Sequence, residues 1–165
     1  MKTGSKRNGF TAVELMIVLE IIMILVVIAL PNFLRYRMNA NETSAVASIK
    51  LLAMSEAAFK ASSFFDADGD GEGDYGTLEE LANPDGRGET PPFIDADLAK
   101  GDKSGYGFII AITTGSPGTS PSYSCIGFPE SPTYTGIRIF YVDESAVIRY
   151  TKDGTAVGPT SDPIS

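Results

Sequence analysis

A chain of 165 residues, 43% hydrophobic and 21% charged, has room for one domain or two small ones. Its 13 basic and 21 acidic residues leave a formal charge of −8, which argues against the basic face that nucleic-acid binding needs. With no histidine and a single cysteine, Cys125, it lacks the commonest general base and forms no intrachain disulfide or multi-cysteine zinc site.

The first 30 residues divide sharply. Residues 1–9 carry Lys2, Lys6 and Arg7 and no acid. Phe10 to Leu30 is 21 residues, apolar except for Thr11, Glu14 and Glu20. About 20 apolar residues at roughly 1.5 Å each cross the hydrocarbon core of a bilayer. The cations placed directly before the span put the N-terminus on the cytoplasmic side. A secretory signal is the competing reading, but it needs a small-residue cut site and finds only Ile28-Ala29-Leu30-Pro31. A buried core helix fails on length. A carboxylate at the bilayer centre costs on the order of 2.5–3.5 kcal/mol, so Glu14 needs a partner. A cut after Gly9 supplies one: Phe10 gains a free amine one helical turn, roughly 6 Å of rise, from Glu14. The helix dipole favours an acid in that first turn as well.

The run Lys6-Arg7-Asn8-Gly9-Phe10-Thr11-Ala12-Val13-Glu14-Leu15, leading into an apolar stretch that ends at Pro31, resembles the start of a type IV prepilin. Pseudopilins of type II secretion begin in the same way. The resemblance covers about the first 65 residues well and the rest in general plan. It implies that 1–9 is a leader, that a prepilin peptidase cuts between Gly9 and Phe10, and that Phe10 is then N-methylated. It implies that Glu14 neutralises the N-terminal amine of a neighbouring copy during assembly. It further implies an inner-membrane assembly platform as partner, a single pass through the bacterial inner membrane before assembly, and afterwards an extracellular or periplasmic filament. Glu20 departs from the apolar pattern and lies about 240° round the helix from Glu14. It is either an acid kept protonated in the membrane or a second contact between copies.

Residues 31–65 read as the amphipathic half of one long helix. Ala45, Ile49, Leu52, Phe59 and Ser63 fall at helical spacing, with Val46 and Ala53 beside them. A helix from Phe10 to Phe65 would run roughly 80 Å. Pro31 removes an amide and crowds the turn before it, which predicts a kink or loosening near Val27–Pro31. In the family it resembles, a proline there marks where the helix melts on packing into the filament.

Residues 66–104 form an acidic connection between helix and sheet. Asp66, Asp68 and Asp70, then Gly71, Glu72 and Asp74, follow the spacing of a calcium loop, although Thr77 stands where its last glutamate belongs. The two readings are a possible Ca2+ site and a solvated acidic turn. Thr77-Leu78-Glu79-Glu80 is a capping box and predicts a short helix, and Asp95 to Lys100 another turn of one.

Residues 105–150 alternate as strands: Tyr106, Phe108, Ile110 and Ile112, then Tyr123 and Cys125, then a hairpin across Asp143-Glu144-Ser145. The polar tail, 151–165, reads as loose. The expected fold is α+β, a long N-terminal helix packed on a small antiparallel sheet, which is pilin-like. Cys125 suits a buried small apolar residue. The expected function is a structural subunit of a type IV pilus-like filament, a helical homopolymer of the chain itself. The alternatives are a type II secretion pseudopilin and a non-polymerising, membrane-anchored calcium-binding or adhesive module. No nucleophile–base pair is visible, so no enzyme is expected. Loss of the leader's three cations takes the formal charge from −8 to −11, which resists nonspecific association.

Overall fold

Between Ala12 and Ser62 the chain has no glycine, and a single helix, α1 (Ala12–Ser62), occupies the stretch, running through Pro31 without interruption. The computed structural model describes residues 9–66, 69–114, 120–152 and 155–164. After α1 come α2 (Leu78–Ala82) and α3 (Ala96–Ala99). Six strands follow: β1 (Asp102–Lys103), β2 (Tyr106–Thr113), β3 (Ser122–Pro129), β4 (Ile139–Asp143), β5 (Arg149–Thr151) and β6 (Asp162–Pro163). They form one antiparallel sheet in sequential order, β1 to β6, so the layout is the expected α+β.

The chain divides into two compact units, Met1–Tyr36 and Arg37–Ser165. Within the first, the described residues are Gly9, Phe10, Thr11 and the N-terminal part of α1, and none is buried.

The second unit has its own core. Ala45, Ile49, Leu52 and Phe59 make the buried stripe of α1, as their spacing predicts. Ser63 falls past the helix end, at a φ of 51°, and is exposed. The stripe packs with Leu81 of α2, Leu98 of α3 and one face of the sheet, including Tyr106, Phe108, Tyr123, Cys125, Phe140 and Val142. Burial alternates along all of β3, so every second side chain from Tyr123 faces the core. Gly127 lies on that face without a side chain. A Cβ there would come within 2.9 Å of Ile49 Cδ1, so glycine is what lets helix and sheet approach. Cys125 is fully buried, and burial pushes its thiol up to about 12, which makes it a packing residue.

The short helices start where their caps predict. Thr77 and Glu80 exchange side-chain and backbone hydrogen bonds at the head of α2, and Asp95 accepts the Asp97 and Leu98 amides at the head of α3. The connection between them is held by Asp85, whose carboxylate accepts the amides of Arg87, Gly88, Glu89 and Thr90. Those donors, led by the Arg87 amide, hold it well below the usual carboxylate range. The sheet reaches beyond the expected strands: β1 joins its front edge, and β6, within the tail read as loose, pairs with β5. Two-residue strands carry no alternation to count, so the sequence pattern leaves them silent.

Candidate functional site

Gly9 and Phe10 precede α1, and Phe10 is 89% exposed. Thr11 and Glu14 close the helix start between them. The Thr11 hydroxyl accepts the Glu14 amide at 3.2 Å, while Glu14 Oε2 accepts both the Thr11 amide and the Thr11 hydroxyl at 2.8 Å. This is a reciprocal capping box, with Glu14 in its third helical position. Sequence reasoning placed Glu14 in the first turn for its charge and missed its role as a cap. The signal was present, since Thr11-x-x-Glu14 has the same spacing as Thr77-x-x-Glu80.

Beyond this cap, every large apolar residue from Val13 to Leu30 is exposed, as are Phe33 and Leu34. A helix that is apolar all round finds no partner in water and requires lipid or other apolar helices. The stretch is long and apolar enough to cross a membrane. Glu14 and Glu20 are its only ionisable side chains between Ala12 and Leu34. The arrangement therefore offers an unburied apolar cylinder with a carboxylate in its first turn.

The acidic segment closes on itself. Asp66 accepts the Gly69 amide at 2.7 Å through Oδ1 and the Gly71 amide at 3.0 Å through Oδ2. Asp70 accepts the Glu72 amide at 2.7 Å, and Glu72 is exposed. Asp74 is buried, and its amide donates to the Phe65 carbonyl at 2.8 Å. Asp68 lies outside the described residues. Among the described residues no group of three or more carboxylate or thiol ligands gathers to hold a metal ion.

Two buried glutamates on α1 went unassigned at the sequence level. Glu42 is 6% exposed and clamps the segment before β4: its Oε1 accepts the amides of Ile137 at 2.9 Å and Arg138 at 3.2 Å, and its Oε2 accepts Arg138 Nε at 2.7 Å. Burial pushes its carboxyl upward, but the two amides and the guanidinium outweigh this and hold it below its ordinary value. The Tyr106 hydroxyl donates to the Arg138 carbonyl at 2.9 Å and completes the clamp. Glu56 is fully buried, and its Oε2 accepts the Gly76 amide at 3.0 Å. Partners 95 and 20 positions apart leave no local pattern, so only the fold reveals these contacts.

The chain is 39% identical over 54 residues to the type IV major pilin protein PilA of Myxococcus xanthus (strain DK1622). The match covers 33% of this chain and about a quarter, 24%, of that relative's length. No family model matches the chain, and no solved structure matches it.

Proposed function

We propose that the chain is a structural subunit of a type IV pilus-like filament, polymerised through residues 10–30. In this reading a prepilin peptidase cuts between Gly9 and Phe10, Phe10 is N-methylated, and the chain waits as a single-pass protein of the inner membrane. An assembly platform there adds copies to a growing filament. The observation that carries the reading is the wholly exposed apolar part of α1 with Glu14 in its first turn. The likeness to a type IV major pilin supports it.

The physics of assembly follows from the same residues. A carboxylate near the edge of the apolar layer is costly alone and favourable beside a cation. The Phe10 amine that cleavage would create is such a cation on every copy. Glu14 can keep its own cap and still meet a neighbour's amine, because a carboxylate offers about four acceptor positions. A copy is then held most firmly where another copy is present, which favours a polymer over dispersed subunits. Pro31 would mark the place where α1 loosens as copies pack.

Mass spectrometry of the chain recovered from membranes or sheared filaments tests the proposal. The expected N-terminus is a methylated Phe10. A chain that begins at Met1, or is cut near Ala29, overturns it. Electron microscopy of the producing cells separates surface pili from a short periplasmic pseudopilus.

A further inference from the structure

We propose that Glu56 is a proton-operated latch: protonated, it seats residues 73–77 against α1, and ionised it loosens them, so that the stability of the Arg37–Ser165 unit falls as pH rises. The proposal concerns the second unit alone and stands apart from the filament reading.

The geometry begins with an unequal carboxyl group. Glu56 has no exposed surface; Oε2 accepts the Gly76 amide at 3.0 Å, and Oε1 has no hydrogen-bond partner. A buried carboxylate with one oxygen unserved is unfavourable in its charged form and tolerable in its neutral one. Residues 73–77 lie over it as a strap fitted closely to α1. A side chain at Gly73 would collide with the Lys60 carbonyl, and a Cβ at Gly76 would come within 2.8 Å of the Phe59 ring. The Asp74 amide donates to the Phe65 carbonyl at 2.8 Å. The strap runs directly into the capping box of α2, so its seating sets where α2 begins.

The groups facing Glu56 do not supply a counter-charge. Glu80 of α2 presents a carboxylate, fixed in place by the Thr77 amide at 2.7 Å and the Thr77 hydroxyl at 2.8 Å. Tyr75 of the strap and Tyr123 and Cys125 of β3 also feel the Glu56 charge, and burial raises all three. Asp74 is buried in the strap itself. Lys60, one turn further along α1, holds its ammonium 5.0 Å from the centre of the Tyr75 ring. Burial pushes the Glu56 carboxyl up to about 7, the Gly76 amide pulling the other way and the Glu80 charge adding to the rise. A raised carboxyl binds a proton more tightly in the folded state than in the unfolded one. Its contribution is therefore complete below its ordinary value, 4.5, and is lost as pH rises through about 7.

The test uses the full chain in detergent micelles. Thermal unfolding is followed by tyrosine near-ultraviolet circular dichroism near pH 5 and near pH 8. The wild-type chain is expected to melt several degrees lower at the higher pH. Glu56→Gln is neutral at both and keeps the Gly76 contact, so it is expected to lose most of that difference. Glu80→Gln, which retains the capping box, is expected to shrink it. Equal pH shifts in wild type and Glu56→Gln overturn the proposal. If Glu56→Gln does not fold, carbon-13 NMR of glutamate-labelled wild type decides. A carboxyl titrating near neutrality that persists when Glu14 and Glu20 are both replaced by glutamine supports the latch, and its absence from that chain refutes it.

Discussion

Glutamine can replace glutamate at the third position of a capping box, so Glu14→Gln keeps the hydrogen bonds to Thr11 and removes only the charge. Glu14→Val removes both. Each variant makes the apolar stretch less costly to insert, so membrane-bound, processed chain is expected from either. If the charge is what a neighbouring copy reads, both should yield about tenfold fewer filaments or worse, the effect of losing one charge-assisted hydrogen bond. Wild-type yield from Glu14→Gln, counted by shearing and immunoblot, would assign the role to the cap instead. Glu42 poses a different question, because its partners lie within its own unit. Glu42→Ala leaves two amides without an acceptor, while the Arg138 guanidinium, its side chain 37% exposed, turns to water. A loss of about 2–3 kcal/mol is expected in denaturant unfolding. Its lowered carboxyl gives stability that is present above the ordinary value of 4.5 and lost as pH falls below it. Glu42 and Glu56 thus work in opposite directions from one helix, and unfolding measured across pH should show greatest stability near 4.5, falling below it and again as pH rises toward about 7.

Where α1 meets the sheet, the contact depends on a missing side chain. Gly127→Ala places a methyl group 2.9 Å from Ile49 Cδ1 and 3.1 Å from the Phe108 ring, both of which must move. Overpacking of this kind costs about 1–3 kcal/mol, and a fall in melting temperature checks it. Among the described residues no group of three or more carboxylates gathers to hold a metal ion, so melting with calcium and with chelator is expected to coincide. A calcium-dependent rise would assign an ion to Asp66, Asp68, Asp70, Glu72 and Asp74. These elements also show what a sequence can disclose. The buried stripe of α1 and the alternation of β2 and β3 are legible because burial imprints a period on the chain. The caps of α2 and α3 are legible because their partners lie two or three residues away. The Thr11–Glu14 cap at the head of α1 is a local pattern of the same kind. Glu56 has no such local signal, since its burial depends on Gly76 and β3 packing around it. The strands β1 and β6 are set by their neighbours rather than by their own residues.

At the level of the whole molecule, the buried hydrophobic core of the described residues runs from Ala45 to Val142, inside the second unit. A fragment beginning at Arg37 keeps that core and sheds the exposed apolar stretch. It is expected to be soluble, to melt cooperatively and to sediment as a monomer, whereas the full chain should require detergent or membrane. Its acidic surface adds repulsion that acts over roughly 10 Å at 0.1 M salt. A fragment that polymerised unaided would locate cohesion in the sheet-bearing unit and contradict the filament reading. The ends of the sheet bear on the same point. Both edge strands are two residues long, and β6 includes Pro163, which has no amide to offer. A long bare edge is a template on which the backbone of another molecule can align and from which amyloid-like stacking can spread. On the β6 side a brief, proline-bearing margin withholds that template. On the other side β1 pairs with only Tyr106 and Gly107 of the eight-residue β2, so copies crowded side by side at high local concentration would find a strand to align on at β2 and none at β6.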